Sequence, residues 1–177
     1  MSIYQKITTF GKRFVSYHTL FKYGFNWSPM YRRSTGRVNT VSKDLSHITI
    51  KIPLSWKNKN YVGTIFGGSM FASVDPIPMV QLINLLDDTY VVWDKSATIK
   101  FKRPAKETLY GEFTFSNDEL RSIKSRVATE NEIEIVKSTV LTNKDGTEEF
   151  CVVDKTLYIA DKGFYKKKRQ LKSKSVK

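Results

Sequence analysis

The chain has 177 residues, of which 40% are hydrophobic and 13% aromatic, a composition typical of one globular domain with a single core. Its only cysteine, Cys151, excludes an internal disulfide, and with only His18 and His47 as further soft ligands the sequence offers no metal-binding cluster. No apolar run approaches the roughly 18 residues of a membrane span, and the N-terminus lacks an apolar signal core. We therefore expect a soluble, cytoplasmic protein, and we assign no chemistry to the cysteine or the two histidines.

The net charge of +13 is concentrated at the two ends of the chain. Residues 1–37 carry seven basic and no acidic groups, residues 162–177 carry eight and none, and the middle carries 15 basic and 17 acidic groups. A basic binding face would instead place its charge among the folded elements. This distribution disfavours a nucleic-acid interface on the globular part, and binding of RNA or an anionic membrane by the basic ends is the least favoured alternative.

The N-terminal region, residues 1–37, is predicted to be a helix followed by a connecting loop. Residues 3–23 place apolar side chains at spacings of three and four, which indicates one apolar helical stripe. We favour packing of this stripe on the domain over the alternative, a basic amphipathic helix on a membrane surface. Gly24, Pro29 and Gly36 mark the loop.

The next segments predict a strand and a long buried helix. Ile48, Ile50 and Ile52 alternate with polar residues within residues 45–53, which is the period of a half-buried strand. Residues 65–86 are almost wholly apolar apart from Asp75, so this helix must be buried on most sides. Because Pro76 removes a backbone donor and is soon followed by a second proline, we expect a kink or restart near Asp75.

The second half of the chain is predicted to be mostly strands. Apolar and polar residues alternate within residues 96–103 and 109–115, which we interpret as antiparallel neighbouring strands. A short helix capped by Asn117 or Asp118 follows to about Ala128. Two further strands, 132–142 and 147–160, flank the hairpin signal Asp145-Gly146. Residues 162–177 are expected to be a disordered basic tail, so the folded domain would span residues 38–161.

Strands grouped apart from a buried helix indicate the α+β class, with an antiparallel sheet wrapped around the helix. No second layer in the chain is long enough to cover the remaining surfaces and strand edges. Dimerisation would protect them.

The stretch from Asn60 to Asp75 combines an amide, a glycine pair and a carboxylate around one predicted helix start. Gly67 and Gly68 allow close approach of the backbone to a ligand, and free N–H groups at a helix start suit a developing negative charge. Asp75 follows Gly67 by eight residues, a little over two helical turns. The stretch therefore predicts an oxyanion pocket with a carboxylate on the same helix.

This pattern resembles the hotdog fold over roughly residues 38–160. Asn60 to Asp75 looks like the Asn-x-x-Gly-x-x-His-Gly-Gly-x-x-x-x-x-x-Asp motif of the phenylacetyl-CoA thioesterase-like branch, and Ile99-Lys-Phe-Lys-Arg-Pro-Ala105 is similar to a strand ending in Arg-Pro-Ala in that branch. The sequence also resembles a hotdog domain family that carries Gly-Thr-x-Phe-Gly-Gly, which the N-terminal helix fits better.

The resemblance implies an acyl-CoA thioesterase that needs no cofactor beyond the coenzyme A of its substrate. In that branch the backbone N–H matching Gly67 polarises the thioester carbonyl, the residue matching Asn60 positions water or substrate, and the one matching Asp75 activates water or attacks directly. The active site lies at a subunit interface, which implies a homodimer or a dimer of dimers (a homotetramer).

Two departures from the motif bear on the chemistry. Phe66 stands where the motif has histidine, which removes a hydrogen-bonding group beside the thioester carbonyl. The serine or threonine that the branch takes from the partner subunit corresponds by count to Asp94, with Ser96 and Thr98 nearby. If Asp75 and Asp94 face one another, one of the two would tend to hold a proton.

Each candidate also has a structural interpretation. Asp75 before Pro76 is a suitable helix cap, the two glycines suit tight helix packing, and Asn60 suits a turn. Residues Lys102, Arg103 and Lys106 are candidates to bind the phosphates of coenzyme A, although basic residues at strand ends are often simply solvated. The alternative to an enzyme is a non-catalytic hotdog protein that binds an acyl group or serves as an oligomeric module.

Overall fold

A computed structural model describes residues 16–175, which form one antiparallel sheet of six strands with helices packed on it. The strands are β1 (Arg37–Val41), β2 (His47–Ile52), β3 (Tyr90–Phe101), β4 (Leu109–Thr114), β5 (Glu132–Thr142) and β6 (Glu149–Asp161). The helices are α1 (Tyr17–Trp27), α2 (Pro29–Ser34), α3 (Gly67–Val74), α4 (Pro76–Leu85), α5 (Asn117–Glu130) and α6 (Lys162–Ser175).

The sheet wraps the central helices α3 and α4, whose apolar side chains are buried against it. Val74 and Ile77 lie in the same core as Ile48 and Ile50 of β2, and all four are fully buried. Burial on most sides explains why this segment is apolar without a single stripe. The arrangement confirms the α+β hotdog fold, and the predicted restart near Asp75 appears as the boundary between α3 and α4.

The position of β3 differs from the prediction. The strand order is β1-β2-β4-β5-β6-β3, so β3 does not pair with β4. It pairs along its whole length with β6, from Tyr90 opposite Asp161 to Phe101 opposite Cys151, while β4 lies between β2 and β5. Its other edge has no strand partner within residues 16–175, which makes the 12-residue β3 an edge strand.

The first two helices belong to the main core. Phe21 of α1 and Tyr31 of α2 are buried there, and the Tyr31 hydroxyl donates a hydrogen bond to the Ser73 carbonyl at 3.0 Å. The predicted stripe is therefore packed on the domain from Tyr17 onward, whereas residues 3–15 of that prediction lie outside the described residues. The expected connecting loop is wrong over α2, because Pro29 begins a short helix there.

The expected disordered tail is also wrong, because residues 162–175 form α6. Contacts with the domain stabilise this basic segment: the Asp161 carboxylate accepts the Phe164 N–H at 2.8 Å, and Lys168 forms an ion pair with Glu132 at 2.5 Å. The Tyr165 ring lies against Tyr158 of β6. Composition alone gives no sign of these partners. None of the helices between residues 16 and 175 is long and apolar enough to cross a membrane.

Candidate functional site

The start of α3 presents backbone donors without a side-chain cap. Phe66 precedes the helix with extended dihedrals of φ −61° and ψ 129°, and its side chain accepts no hydrogen bond. The N–H groups of the first helical turn have no acceptor within the helix, so those of Gly67 and Gly68 are suited to an external acceptor. This is the geometry that an oxyanion pocket requires.

Two aromatic rings lie against the glycine pair. A Cβ atom added at Gly67 would lie 2.6 Å from Cζ of Phe101, and one added at Gly68 would meet the Phe66 ring closer still. Both rings are 57% exposed. The glycines are therefore required for the close approach of these rings, which flank the helix start with an exposed apolar surface.

Asn60 uses its side-chain amide within its own loop. Its Oδ1 accepts the N–H groups of Val62 and Thr64 at 3.1 and 3.0 Å, and its Nδ2 donates to the Thr64 hydroxyl at 2.8 Å. Asn60 therefore stabilises its own turn, as its structural interpretation predicts. Its catalytic role stays a prediction.

Asp75 is not a helix cap, which corrects the structural interpretation offered for it. Its dihedrals are helical, with φ −44° and ψ −52°, its N–H donates to the Phe71 carbonyl at 2.8 Å, and its carboxylate makes no capping hydrogen bond. The carboxylate turns to the sheet, where it accepts a hydrogen bond from Lys155 of β6 at 2.5 Å. The Asp75 carboxylate thus binds a charged side chain of another element, whereas a helix cap would bind the free N–H groups of its own helix.

Lys155 joins Asp75 to Asp94. Its Nζ lies 2.5 Å from Oδ1 of Asp75 and 3.0 Å from Oδ1 of Asp94 on β3, and its side chain is only 3% exposed. The Phe71 ring centroid lies 5.9 Å from the same nitrogen. The two carboxylates therefore lie near one another within a single chain, with a buried ammonium group between them.

Sequence reasoning missed Lys155, although a signal exists. On β6, Val153, Lys155 and Leu157 occupy successive positions of the same face, and all three are buried. A lysine at an inward position of a buried strand needs a carboxylate partner. That requirement points to Asp75 and Asp94.

The environment of Asp94 disfavours the ionised form of its carboxyl group. Burial raises its pKa, the neighbouring Asp75 raises it further, and Lys155 opposes both effects. Its buried Oδ1 lies 3.0 Å from the ammonium group of Lys155, with which it forms an ion pair. Asp94 therefore protonates more readily than an ordinary aspartate.

The glycine pair and the carboxylates lie at two separate places along the central helices. Asp75 follows Gly67 by eight residues, and a helical rise of about 1.5 Å per residue separates them by roughly 12 Å. One thioester group cannot contact both positions of the same chain.

The predicted phosphate ligands are already paired in part. Lys102 forms an ion pair with Glu149, and Arg103 lies 3.0 Å from Glu148, with its guanidinium 5.9 Å from the Phe150 ring centroid. Lys106 is exposed, and so is Ser96. Cys151, which we assigned no chemistry, is buried, and burial raises the pKa of its thiol to about 11.

Comparison with known proteins gives a family and a set of structural relatives. Residues 17–159 match the family described as "Domain of unknown function (DUF4442)". No curated protein matches the sequence.

The fold is similar to several solved structures. A Pseudomonas aeruginosa protein of unknown function, described as a "probable thioesterase", has a TM-score of 0.71 at 18% identity, over 81% of this chain and 95% of that one. A Haemophilus influenzae thioesterase has a TM-score of 0.56 at 11% identity, over 78% and 87%. A mutant of a second Pseudomonas aeruginosa thioesterase has a TM-score of 0.58 at 10% identity, over 80% and 92%. At these identities the likeness shows a shared fold.

Proposed function

Because the chain belongs to the family described as "Domain of unknown function (DUF4442)", and because thioesterases share its fold, we propose that it hydrolyses acyl-CoA thioesters. Within that fold we propose the chemistry of the phenylacetyl-CoA thioesterase-like branch, whereas the N-terminal helix fits the hotdog family with the Gly-Thr-x-Phe-Gly-Gly motif better. The observation that carries the proposal is the carboxylate of Asp75, fixed at the break between α3 and α4 and directed to the inner face of the sheet.

In this mechanism the carboxylate of Asp75 takes a proton from a water molecule as that water attacks the thioester carbonyl carbon. The backbone N–H of Gly67 donates to the oxygen on which negative charge develops, supported by Gly68, and Asn60 orients the water. The C–S bond then breaks, and the coenzyme A thiolate leaves with a proton returned from the carboxyl group. No cofactor takes part.

The site is proposed to be shared by two subunits. The roughly 12 Å between Gly67 and Asp75 of one chain prevents both from contacting one thioester, but a two-fold axis beside β3 would bring Gly67 of one chain toward the second chain's carboxylate. Support for such an axis comes from β3 itself, a long edge strand that exposes Trp93 and Phe101. A homodimer, or a dimer of dimers, would thus form the complete site.

The phosphates of coenzyme A are proposed to bind at the end of β3. Lys102 and Arg103 would exchange their present glutamate partners for phosphate oxygens, and exposed Lys106 would add a third positive charge. Ser96 and Asp94, earlier on the same strand, would lie closer to the reacting carbonyl than these three basic residues do.

A thiol-release assay tests the proposal. Short, aromatic and long acyl-CoAs are supplied to the wild type, to Asp75→Asn and to Asp145→Asn, whose carboxylate lies on an exposed hairpin turn. We expect turnover by the wild type and the Asp145 control, and a loss of about 100-fold or more in kcat for Asp75→Asn, because the base is removed.

Two results would contradict the proposal. Absence of turnover on every acyl-CoA would exclude thioester hydrolysis. Full activity of Asp75→Asn would exclude the role of its carboxylate while leaving the activity itself in place.

Non-catalytic acyl binding is the second candidate function, and two observations favour it. Phe66 supplies no polar group beside the carbonyl, and the Asp75 carboxylate is already bound to Lys155. Calorimetry distinguishes the candidates: a non-hydrolysable acyl-CoA thioether should bind in either case, but intact acyl-CoA recovered after binding would favour the second.

A further inference from the structure

A buried lysine between two carboxylates is the most unusual charged group in the described part of the chain. Lys155 comes from the middle of β6, Asp75 from the α3–α4 junction and Asp94 from β3. Three separate elements therefore supply one small cluster. Desolvation of an ammonium group is costly, and only good pairing offsets it.

The cluster carries one more negative than positive charge. The charged groups that act on Asp94 are Lys155, which stabilises its ionised form, and Asp75, which opposes ionisation. The Phe71 ring borders the ammonium group from α3 and contributes no formal charge. The ionisation of Asp94 thus depends on the lysine.

We infer that Lys155 is a positioning residue of the candidate site, whose ammonium group holds the carboxylates of Asp75 and Asp94 side by side in their ionised forms. Without that positive charge, two adjacent carboxylates repel one another and one of them takes up a proton. Hydrolysis would then follow the ionisation of Asp94, because a proton on Asp94 can be shared with the neighbouring base Asp75. Its role in hydrolysis rests on the proposed function, whereas its effect on Asp94 does not.

The sign of the effect follows from the contacts of Asp94. Lys155→Met keeps the apolar stem and removes the charge, so the pKa of Asp94, already raised by burial, should rise further. Asp75→Asn removes the repelling charge instead, so the pKa of Asp94 should fall.

NMR titration of the aspartate carboxyl carbons in the protein without substrate measures both shifts. Asp94→Asn identifies the Asp94 signal by its loss. The inference is supported if the titration midpoint of Asp94 moves up in Lys155→Met, and it is overturned if that midpoint does not rise. A downward shift in Asp75→Asn shows the repulsion between the two carboxylates. If Lys155→Met does not fold, Lys155→Gln is titrated in its place and the same upward shift is expected.

The same variants separate this inference from the proposed function. We expect the acid limb of the pH profile for thioester hydrolysis to move to higher pH in Lys155→Met and to stay near the wild-type position in Lys155→Arg, a change that loss of packing alone would not produce. If Asp94 shifts as expected but no protein hydrolyses a thioester, the inference holds and the proposed function fails. If the wild type hydrolyses a thioester but the Asp94 titration does not move, the proposed function holds and the inference fails.

Discussion

Gly67 shows how a single missing methyl group shapes the candidate site. In Gly67→Ala the added Cβ would lie 2.6 Å from the Phe101 ring, which is exposed and can rotate away, so we expect less than about 1 kcal/mol loss of stability. The methyl group would still stand beside the N–H that the mechanism requires. We expect kcat/KM for acyl-CoA to fall about tenfold or more, measured by thiol release.

Gly24→Ala is the matched control for this change. No atom of residues 16–175 lies within 4 Å of the added Cβ in α1, and alanine should stabilise that helix by about 0.5–1 kcal/mol without affecting hydrolysis. Equal activity of the two variants would show that the start of α3 does not contact the substrate.

The site residues differ in how far the sequence predicts them. Spacing around one helix start singles out Gly67 and Asp75, because the glycine pair, the carboxylate and the helix lie within one short segment. It does not predict what Asp75 contacts, since Lys155 lies 80 positions along the chain and reaches it only through the folded sheet. Local sequence rules indicated that Asp75 caps a helix, because such rules consider only neighbouring backbone groups and not a distant lysine.

At the scale of elements, α2 is a short helix whose main contribution is one aromatic side chain. Tyr31 is fully buried and donates to the Ser73 carbonyl in α3. We expect Tyr31→Phe to lower the free energy of unfolding by about 1–3 kcal/mol and Tyr31→Ala by about 3–5 kcal/mol, measured by urea denaturation. Tyr23→Phe, at a half-exposed ring of α1, should change it by less than about 0.5 kcal/mol.

The docking of α6 depends on the ion pair between Lys168 and Glu132. Hydrogen bonds from Lys168 and Tyr158 lower the pKa of Glu132 in the folded protein. A lowered pKa stabilises docking above the ordinary glutamate pKa, and the contribution is lost as the pH falls through the lowered value. We therefore expect acid to loosen α6, by roughly 0.2–1 kcal/mol for a largely solvated pair.

Hydrogen exchange of the α6 amides checks this prediction. Lys168→Ala should exchange faster than the wild type at neutral pH and lose the acid dependence, while Lys166→Ala on the exposed side should do neither. Identical exchange in both variants would show that the pair does not hold the helix.

The elements also show which sequence patterns predict structure. Period-two alternation located β2, β4, β5 and β6 to within about two residues, because one face of each strand is buried. It placed the start of β3 too late, since Tyr90-Val-Val-Trp93 is apolar without alternation. The partner of β3 was wrong because pairing depends on the closure of the whole sheet, and β1 escaped prediction as a short segment without a clear apolar period.

At the scale of the whole molecule, β3 makes association testable, because one of its edges has no strand partner in the described part of the chain. Thr98 is exposed on this strand, and Thr98→Glu would place like charges near each other across a two-fold axis. We expect the dimer to dissociate at least about tenfold more readily, measured by sedimentation equilibrium, with partial recovery at high salt. Ser138→Glu, exposed on the inner strand β5, is the control, and equal dissociation of both variants would exclude pairing along β3.

The pairing of β3 with β6 also orders events during synthesis of the chain. β3 leaves the ribosome before β4, α5 and β5, yet its only strand partner within residues 16–175 comes after all of them. Until β6 emerges, Asp75 and Asp94 lack the lysine that pairs with both of them, and β3 lacks its strand partner. A protein shortened before Lys155 would therefore keep the whole motif from Asn60 to Asp75 while losing the charge that holds Asp75 beside Asp94.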